Sequence, residues 1–394
     1  MGRYERPLTW LMLASHVPAD GARGGMIRYA VEATRALNRR DDVRVLVHCT
    51  PAARPLFVDQ LGIPADQIVA EARGSVVVDS LIELGGLSST LRRHKVDVVH
   101  GTKHLVPLRG QGALRMLTVH DTILFDRPQE YGAVKRMALP AAYRASLRRA
   151  EVLACVSRAT LGRLALRLPG PAASGRVVPL AMASSLLEAS SRPVPALDGR
   201  AFALVVGDLS PRKNVGYLLG LWPDVRRRVP DAHLAIVGPP GWGRQGPLPM
   251  LDELQADGAV SMLGRISDGQ LRWAYQNARV ALCPSLLEGF GLPAMEATAF
   301  GCPTVLSEDP AMQEAAGGRG RVIGLDRPGE WVESIVERLG SAALRPARGA
   351  VRSWDDVAAE LVGLARSAIG ARGPEFGNTG AGPAGTSGGL GQRS

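Results

Sequence analysis

The chain has 394 residues, of which 46% are hydrophobic and 5% aromatic, and a formal net charge of +10. That length favours more than one domain, and no apolar run reaches the ~18–20 residues of a membrane span. Only four of the 47 basic residues are lysine, and the arginines are spread along the chain without an aromatic-rich basic run, which argues against nucleic acid as a partner. Peripheral contact with an anionic membrane surface, or an anionic substrate, stays open.

The N-terminus and the cysteines indicate a compartment. A short apolar stretch, Leu8 to Ala14, predicts a first strand, and the charged residues before it do not fit a signal peptide. The four cysteines are far apart and lack metal-ligand spacing, so we expect buried thiols in a reducing compartment. We therefore expect a cytoplasmic protein, at the inner face of the membrane if the basic surface makes such a contact.

Strands and helices alternate in the first part of the chain. Such alternation favours a parallel sheet covered by helices on both faces. The patterns predict strands at 8–14, 43–49, 96–99, 115–119, 152–156 and 176–179, and helices at 26–37, 143–150 and 157–167.

Polar and glycine residues follow several of these strands, where ligands bind in open parallel sheets. Gly24 and Gly25 lie between the first strand and the first helix, although they do not form a GxGxxG fingerprint and a simple turn is an equal alternative. His120, beside Asp121, is a candidate base or hydroxyl ligand, with a structural histidine as the alternative. His100 and His104 do not match the HExxH pattern of a metal site.

A second alternation begins after a Ser- and Pro-rich segment. The patterns predict strands at 202–206, 233–237, 260–263, 279–283 and 304–307, helices at 215–228, 268–277 and 293–300, and a terminal amphipathic helix at 357–369. We expect domains at 1–182 and 201–350 joined by a linker at 183–200, a terminal helical segment at 351–372 and a disordered tail at 373–394.

The strongest functional signal lies between residues 284 and 297. A predicted strand is followed by Gly289 and Gly291 and then by a helix with Pro293 in its first turn. Such a helix N-terminus presents free N–H groups and a positive dipole end, which suit an anion. Glu288 and Glu296 flank this loop, and because carboxylates repel phosphate we expect them to accept hydrogen bonds from hydroxyls. A phosphate with hydroxyls on either side describes a nucleotide sugar.

Two alternatives concern the charged residues around this loop. Glu288 and Glu296 could form the acid/base pair of a glycoside hydrolase, but a hydrolase has no need of the glycine loop. Arg212 and Lys213, after the first strand of the second alternation, are the best candidates to balance a diphosphate. Lysine is rare in this chain, and an ammonium is not interchangeable with a guanidinium. A solvated charged turn is the alternative for this pair.

These residues resemble the E-x7-E signature of retaining, GT4-type glycosyltransferases with the GT-B fold. The resemblance covers the chain to about residue 370. It is carried by Glu288 to Glu296, with further matches at 24–25, 119–121, 156–160, 211–214 and 264–267. Departures occur at Val178 to Ala181, where Asn-Gly is usual, at Asp208, and at 308–320.

The resemblance implies two Rossmann-like domains that face a cleft, with the acceptor side at 1–182, the nucleotide-sugar side at 201–350, and the terminal helix crossing back to the first domain. It also implies a role for each candidate site residue: the diphosphate for Arg212 and Lys213, the donor sugar for Glu288 with the amides near Phe290, Gly291 and Leu292, the ribose for Glu296, the base for Arg265 and Ile266, the reacting centre for His120, and the phosphates for Gly24 and Gly25 from the facing domain.

The implied activity is transfer of a hexose, with mannose among the candidates, from a GDP- or UDP-sugar to a glycan, lipid-linked or secondary-metabolite acceptor. Retention is expected without an enzymic nucleophile, since the donor phosphate can take the acceptor proton. His120, Glu288, Lys213 and Arg212 are the expected catalytic residues. No metal and no cofactor beyond the nucleotide-sugar co-substrate are implied. A sugar-nucleotide epimerase or hydrolase, or a non-catalytic sugar-nucleotide-binding protein, stays open, as does the oligomeric state.

Overall fold

The computed structural model describes residues 6–20, 24–71, 76–239, 249–340, 346–349 and 351–372. It contains two separate parallel sheets, so the predicted α/β fold is confirmed. We call the part up to residue 182 the first half and residues 201–349 the second half. The predicted disordered tail at 373–394 lies outside the described residues.

The sheet of the first half has seven strands in the order β3-β2-β1-β4-β5-β6-β7, all parallel. Its central strands are buried on both faces because helices cover both, as the nearly continuous apolar runs indicate. All six residues of its first strand are buried. The strands are β1 Leu8–Leu13, β2 Val43–Cys49, β3 Ile68–Glu71, β4 Val98–Gly101, β5 Leu114–Val119, β6 Val152–Cys155 and β7 Gly175–Val177.

The sheet of the second half has six parallel strands in the order β10-β9-β8-β11-β12-β13. The strands are β8 Phe202–Val206, β9 His233–Val237, β10 Val260–Gly264, β11 Val280–Cys283, β12 Thr304–Leu306 and β13 Arg321–Val322. The two sheets therefore share one winding pattern. In each, the direction of strand addition reverses beside the first strand, between β1 and β4 and between β8 and β11, and ligands bind at such points.

Fifteen helices are described. Those up to the linker are α1 Gly25–Asn38, α2 Val76–Leu81, α3 Ser88–Arg93, α4 Ile123–Asp126, α5 Ala133–Arg149, α6 Arg158–Arg167, α7 Pro169–Ala172 and α8 Ser184–Glu188. Those that follow are α9 Val215–Arg228, α10 Pro249–Ala256, α11 Asp268–Asn277, α12 Leu292–Ala299, α13 Pro310–Ala315, α14 Pro328–Gly340 and α15 Trp354–Ala371. Short 3-10 or π turns occur at Pro51–Ala53, Leu56–Gln60, Ala65–Gln67, Ile82–Gly86, Pro128–Glu130, Pro195–Leu197 and Pro211–Lys213.

The last helix, α15, packs on the first half, against α1 and strands β5 and β6. Ser353 and Asp356 form a capping box at its start, which satisfies free N–H groups of its first turn. Trp354 is buried, donates its indole N–H to the Met182 carbonyl at 3.0 Å, and meets the Tyr29 ring edge-on at 5.8 Å. None of the described helices is long and apolar enough to cross a membrane.

Candidate active site

The two halves face each other across a cleft of about 290 Å³ at the carboxyl ends of their strands. All but two of the site residues predicted from the sequence line it. Those that line it are Gly24, Gly25, His120, Arg212, Lys213, Glu288, Phe290, Gly291, Leu292 and Glu296. Residues that lie far apart in the chain thus meet in one place, as the strand-end argument predicts.

Arg212 and Lys213 sit on one tight turn between β8 and α9. Asp208 braces the loop before this turn, because its carboxylate accepts from the N–H and the hydroxyl of Ser210 at 3.2 and 2.5 Å. The Lys213 stem passes over Gly207, where an added Cβ would lie 3.2 Å from Lys213 Cε. Both cations of this loop therefore line the cleft.

Glu288 forms an ion pair with both of these cations. Its Oε1 accepts from Lys213 Nζ at 2.6 Å and from Ser285 Oγ at 2.8 Å, and its Oε2 accepts from Arg212 Nη1 at 3.0 Å. Burial opposes the charge of Glu288, but Lys213 and Arg212 outweigh it and lower the pKa of the carboxyl to about 2. Glu288, which we expect to accept hydrogen bonds from sugar hydroxyls, is therefore ionised. It is also paired with Arg212 and Lys213, the two residues expected to bind the diphosphate.

Arg212 keeps a donor beyond this ion pair. Its Nε is buried and has no hydrogen-bond partner among the described residues. Burial disfavours its charge, yet Glu288, Asp208 and Asp121 raise its pKa above the ordinary value. A buried guanidinium with an unsatisfied N–H is suited to an anionic oxygen, because leaving the donor unpaired costs free energy.

The glycine loop leads from β11 into α12 with Gly291 as the N-cap, in the left-handed region at φ 101°. Gly289 is required for another reason: an added Cβ would lie 1.7 Å from the His120 carbonyl oxygen of the first half. The N-terminus of α1, beginning at Gly25, lies opposite, and a Cβ at Gly25 would be 3.4 Å from Leu292 Cδ1. Two helix N-termini, one from each half, thus converge on the cleft, and both favour an anion.

Glu296 lies one turn into α12 and is buried. Its carboxylate accepts from Tyr275 OH at 2.9 Å and from Arg28 Nη1, in the first half, at 3.1 Å. Burial raises its pKa, and the Arg28 charge acts against that increase. Sequence reasoning missed Arg28, which stands three residues after Gly25 and so on the first turn of α1 that faces the cleft.

His120 is buried at the end of β5, and its ring meets Tyr29 edge-on at 4.9 Å. Its Nε2 donates to the Thr102 carbonyl at 2.9 Å, which fixes the proton on that nitrogen and leaves Nδ1 as an acceptor. Burial lowers the pKa of His120 to about 4, so the ring is neutral near pH 7. His120 is therefore a buried, hydrogen-bonded histidine that also lines the cleft.

Arg265 and Ile266 are the two predicted residues that do not line the cleft. They follow β10, the edge strand of the second sheet, which is separated from β8 by β9. Arg265 is exposed, while Ile266 packs against the main core. Within the described residues, no group of three or more His, Cys, Asp or Glu side chains is placed to hold a metal ion.

Several further residues of this region were not predicted as site residues. Asp121 lines the cleft beside His120, and burial raises its pKa, while the charge of Arg212 acts to lower it. Arg163 and Asp309 approach the Glu288 backbone from two sides. Pairings across the two halves leave no local pattern in a single sequence, so only the position of Asp121 after a strand could have indicated a role.

Two family models match the chain in succession. One described as glycosyl transferase 4-like domain matches residues 24–181, and one described as glycosyl transferases group 1 matches residues 188–337. They cover the elements that carry the two walls of the cleft.

Individual proteins show the same likeness. O-antigen chain mannosyltransferase B of Escherichia coli is 28% identical over 242 residues, 59% of this chain and 62% of that protein, so the chain spans less than two thirds of its length. MMP alpha-(1->4)-mannosyltransferase of Mycolicibacterium hassiacum is 30% identical over 305 residues, 71% of this chain and 72% of that protein. The structure of HepE from Anabaena in complex with UDP has a TM-score of 0.62 at 16% identity, covering 92% of this chain and 100% of that one. The chain belongs to the GT4-type glycosyltransferases of the GT-B fold.

Proposed function

We propose that the protein is a retaining glycosyltransferase that moves a hexosyl group from a nucleotide-diphosphate sugar to a hydroxyl of an acceptor. The observation that carries the proposal is the convergence on one cleft of Arg212, Lys213 and two helix N-termini with the buried carboxylates Glu288 and Glu296. Cations and dipole ends suit a diphosphate, and flanking carboxylates suit the hydroxyls of a ribose and a sugar.

The proposed chemistry depends on the leaving group. When the bond between the anomeric carbon and the phosphate oxygen breaks, negative charge grows on that oxygen, and Arg212, Lys213 and the N-terminus of α12 stabilise it. The acceptor oxygen forms its bond to the anomeric carbon on the same face, and its proton goes to the departing phosphate oxygen. Neutral His120 contacts the sugar near the reacting carbon. The two cations and the two helix N-termini together offset the diphosphate charge, so we propose a metal-independent reaction with no further cofactor.

The donor and the acceptor are proposed more broadly. The names of the two bacterial mannosyltransferase relatives support mannose, and hence GDP-mannose, as one candidate donor. A UDP-sugar is the other candidate, because the HepE structure contains UDP. Arg265 and Ile266 are proposed to border the base. The acceptor is a glycan, a lipid-linked sugar or a secondary metabolite.

We also propose a cytoplasmic location with peripheral contact at an anionic membrane surface. The four cysteines are buried and none is joined to another by a disulfide, which supports a reducing compartment. The net charge of +10 supports the membrane contact.

Ligand-induced stabilisation tests the donor site. Melting is measured with GDP, UDP, GDP-mannose and UDP-glucose, since a ligand at 100-fold its Kd adds about 2.7 kcal/mol to the free energy of unfolding. Binding is followed by a transfer assay over acceptor classes, with the anomeric configuration of the product read by NMR. An inverted product would refute retention. Free sugar or an isomer without a glycosylated acceptor would favour a hydrolase or an epimerase.

Lys213→Ala is expected to lower the turnover of transfer by 10²-fold or more, because it removes a cation that stabilises the negative charge developing on the phosphate. The control is Arg227→Ala on α9, an exposed cation paired only with nearby Asp224 among the contacts described, which should keep wild-type turnover. Circular dichroism checks that both variants are folded. Full activity in Lys213→Ala would remove this residue from the proposed mechanism.

A further inference from the structure

The backbone of Glu288 is held from two sides by an ion pair that spans the two halves. Its N–H donates to Asp309 Oδ2 at 3.2 Å, and its carbonyl accepts from Arg163 Nη1 at 2.6 Å. Arg163 Nη2 in turn binds the same Asp309 oxygen at 2.5 Å. Both hydrogen-bonding groups of this one residue are thus fixed by a single Arg–Asp pair.

The next carbonyl along the chain is fixed by the same helix. Gly289 O accepts from Ser157 Oγ at 2.6 Å and from Thr160 Oγ1 at 2.8 Å. Ser157 is the N-cap of α6, and Thr160 and Arg163 follow at intervals of three residues, so the three side chains share one face of the helix. The first half therefore supplies three side chains to two successive carbonyls of the second half.

These contacts lie in a buried setting. Ser157 and Thr160 are fully buried, and the side chains of Arg163 and Asp309 are 20% and 3% exposed. Burial raises the pKa of Asp309, and the charge of Arg163 acts against that rise. Charge-assisted hydrogen bonds are stronger and shorter than neutral ones, so the geometry they impose on the loop is well defined.

The start of α6 is held in the other direction. The Glu314 carboxylate of α13 accepts from the N–H groups of Arg158 and Ala159 at 2.9 and 3.4 Å. An acidic group at a helix N-terminus is favourable for the dipole. The helix that carries Arg163 is thereby fixed to the half that it contacts.

We propose that Arg163, with Asp309, is a positioning residue that sets the Glu288 carboxylate in place for the sugar of the donor. The Glu288 side chain can meet Lys213 and Arg212 within the second half alone, but its backbone is aligned by a guanidinium from the first half. Arg163 does not itself touch the donor. The inference rests on the proposed function, because it assigns Glu288 to the sugar and Arg212 and Lys213 to the diphosphate.

Calorimetric titration tests the positioning role of Arg163 separately from the proposed binding of a nucleotide sugar. Kd values are measured for GDP and GDP-mannose, and for UDP and UDP-glucose, with wild type, Arg163→Met, Arg163→Lys and Asp309→Asn. In Arg163→Met we expect the Kd for the nucleoside diphosphate to stay within about twofold, while the Kd for the sugar nucleotide that wild type prefers rises about tenfold. Turnover should fall by about 10–100-fold, since small misplacements of a reacting pair are costly.

Arg167→Met is the matched control, because Arg167 lies on the same helix but pairs with Asp126 inside the first half. It should leave both Kd values unchanged. Asp309→Asn should resemble Arg163→Met, and the double variant should lose less than the product of the two single effects, because the residues act through one contact. If Arg163→Met does not fold, Arg163→Lys, which keeps the charge but not the two-pronged contact, and Asp309→Asn carry the test.

The outcomes are distinguishable. If wild type binds no nucleoside diphosphate or sugar nucleotide, the proposed function fails and the positioning role falls with it. If wild type binds both but the folded variants shift the two Kd values in parallel, or not at all, the positioning role is wrong and the proposed function stands.

Discussion

Glu288 illustrates how a buried charge is kept at the residue scale. Its side chain is 9% exposed and is ionised because Lys213 and Arg212 are in contact with it. The pKa of about 2 lies below the unfolded value, so its contribution to stability is present above about pH 4.5 and is lost as the pH falls toward 2. Titration of Glu288 therefore should not limit activity near neutral pH.

Glu288→Gln should unmask the two cations. Without the carboxylate they stay buried and poorly paired, so we expect the free energy of unfolding to fall by about 3–5 kcal/mol. A nucleoside diphosphate should then raise the melting temperature of this variant more than that of wild type, because its phosphates replace the missing charge. Transfer should be lost, since the sugar contact is gone. An equal or smaller ligand-induced shift in the variant would contradict the assignment of the cations to the diphosphate.

At the scale of elements, α15 returns the chain to the first half and is held there at both ends. Trp354 anchors its start to Met182, and Arg372, just past its end, donates to the carbonyls of Gly112 and Ala113 at 3.0 and 3.5 Å. The helix buries one face against α1, so its stability depends on tertiary packing more than on propensity.

Trp354→Ala is expected to lower the free energy of unfolding by about 3–5 kcal/mol, because it removes a large buried ring and leaves a cavity. Leu166→Ala, at a side chain that is 86% exposed, is the control and should change little. Chemical denaturation measures both. A small effect of Trp354→Ala would mean that α15 is not an integral part of the first half.

Sequence patterns predicted some elements to the residue and missed others for physical reasons. The bounds of α9, β9 and α11 match the expected ranges, since α9 and α11 have the apolar spacing of a helix and β9 is a short, mainly apolar run. β13 has only two residues, both exposed, and so no apolar pattern. α14 begins with Pro328 and Gly329, which are more typical of a turn.

The positions of most candidate site residues could be predicted from the sequence, but their contacts with one another could not. Ten of the predicted residues line the cleft, because strand ends and a glycine loop can be located from the local sequence. The ion pairs of Glu288 and the approach of Arg163 depend on how distant segments meet, which no local pattern encodes. Arg265 and Ile266 were assigned through the resemblance alone, and the structure sets them beside the edge strand.

On the scale of the whole molecule, the first half holds neutral histidines at two buried positions, His100 and His120, and at one partly exposed position, His16. Burial lowers the pKa of His16 and of His100 to about 3 and that of His120 to about 4. Below pH 6.5 the unfolded chain takes up protons on these residues and the folded chain does not, so stability falls between about pH 6.5 and pH 4. Glu83, whose pKa burial raises to about 7, has the opposite slope between pH 4.5 and 7 and partly offsets them.

His100→Gln tests this acid sensitivity, because Gln can keep the bond from the His100 ring to Thr118. Between pH 7.5 and pH 5, His100 takes up a proton in the unfolded wild type only, which destabilises the wild-type fold, and the variant lacks this group. The difference in free energy of unfolding between wild type and variant should therefore narrow by about 2 kcal/mol over this range. Denaturant unfolding at several pH values gives the gap. His94→Gln, at a far less buried ring, should show much less narrowing. A gap that is the same at both pH values would contradict the explanation.

The return of α15 to the first half has a consequence for recombining this enzyme with its relatives. A chimera that swaps residues 1–182 alone would replace Met182, whose carbonyl accepts from Trp354, and would separate Arg39 from Asp355. The exchangeable module is therefore discontinuous and includes residues 353–372. The incoming module must also present a serine and a threonine to Gly289 and an arginine to Glu288 and Asp309 of the other half, so compatibility between halves can be screened from these few positions before any gene is built.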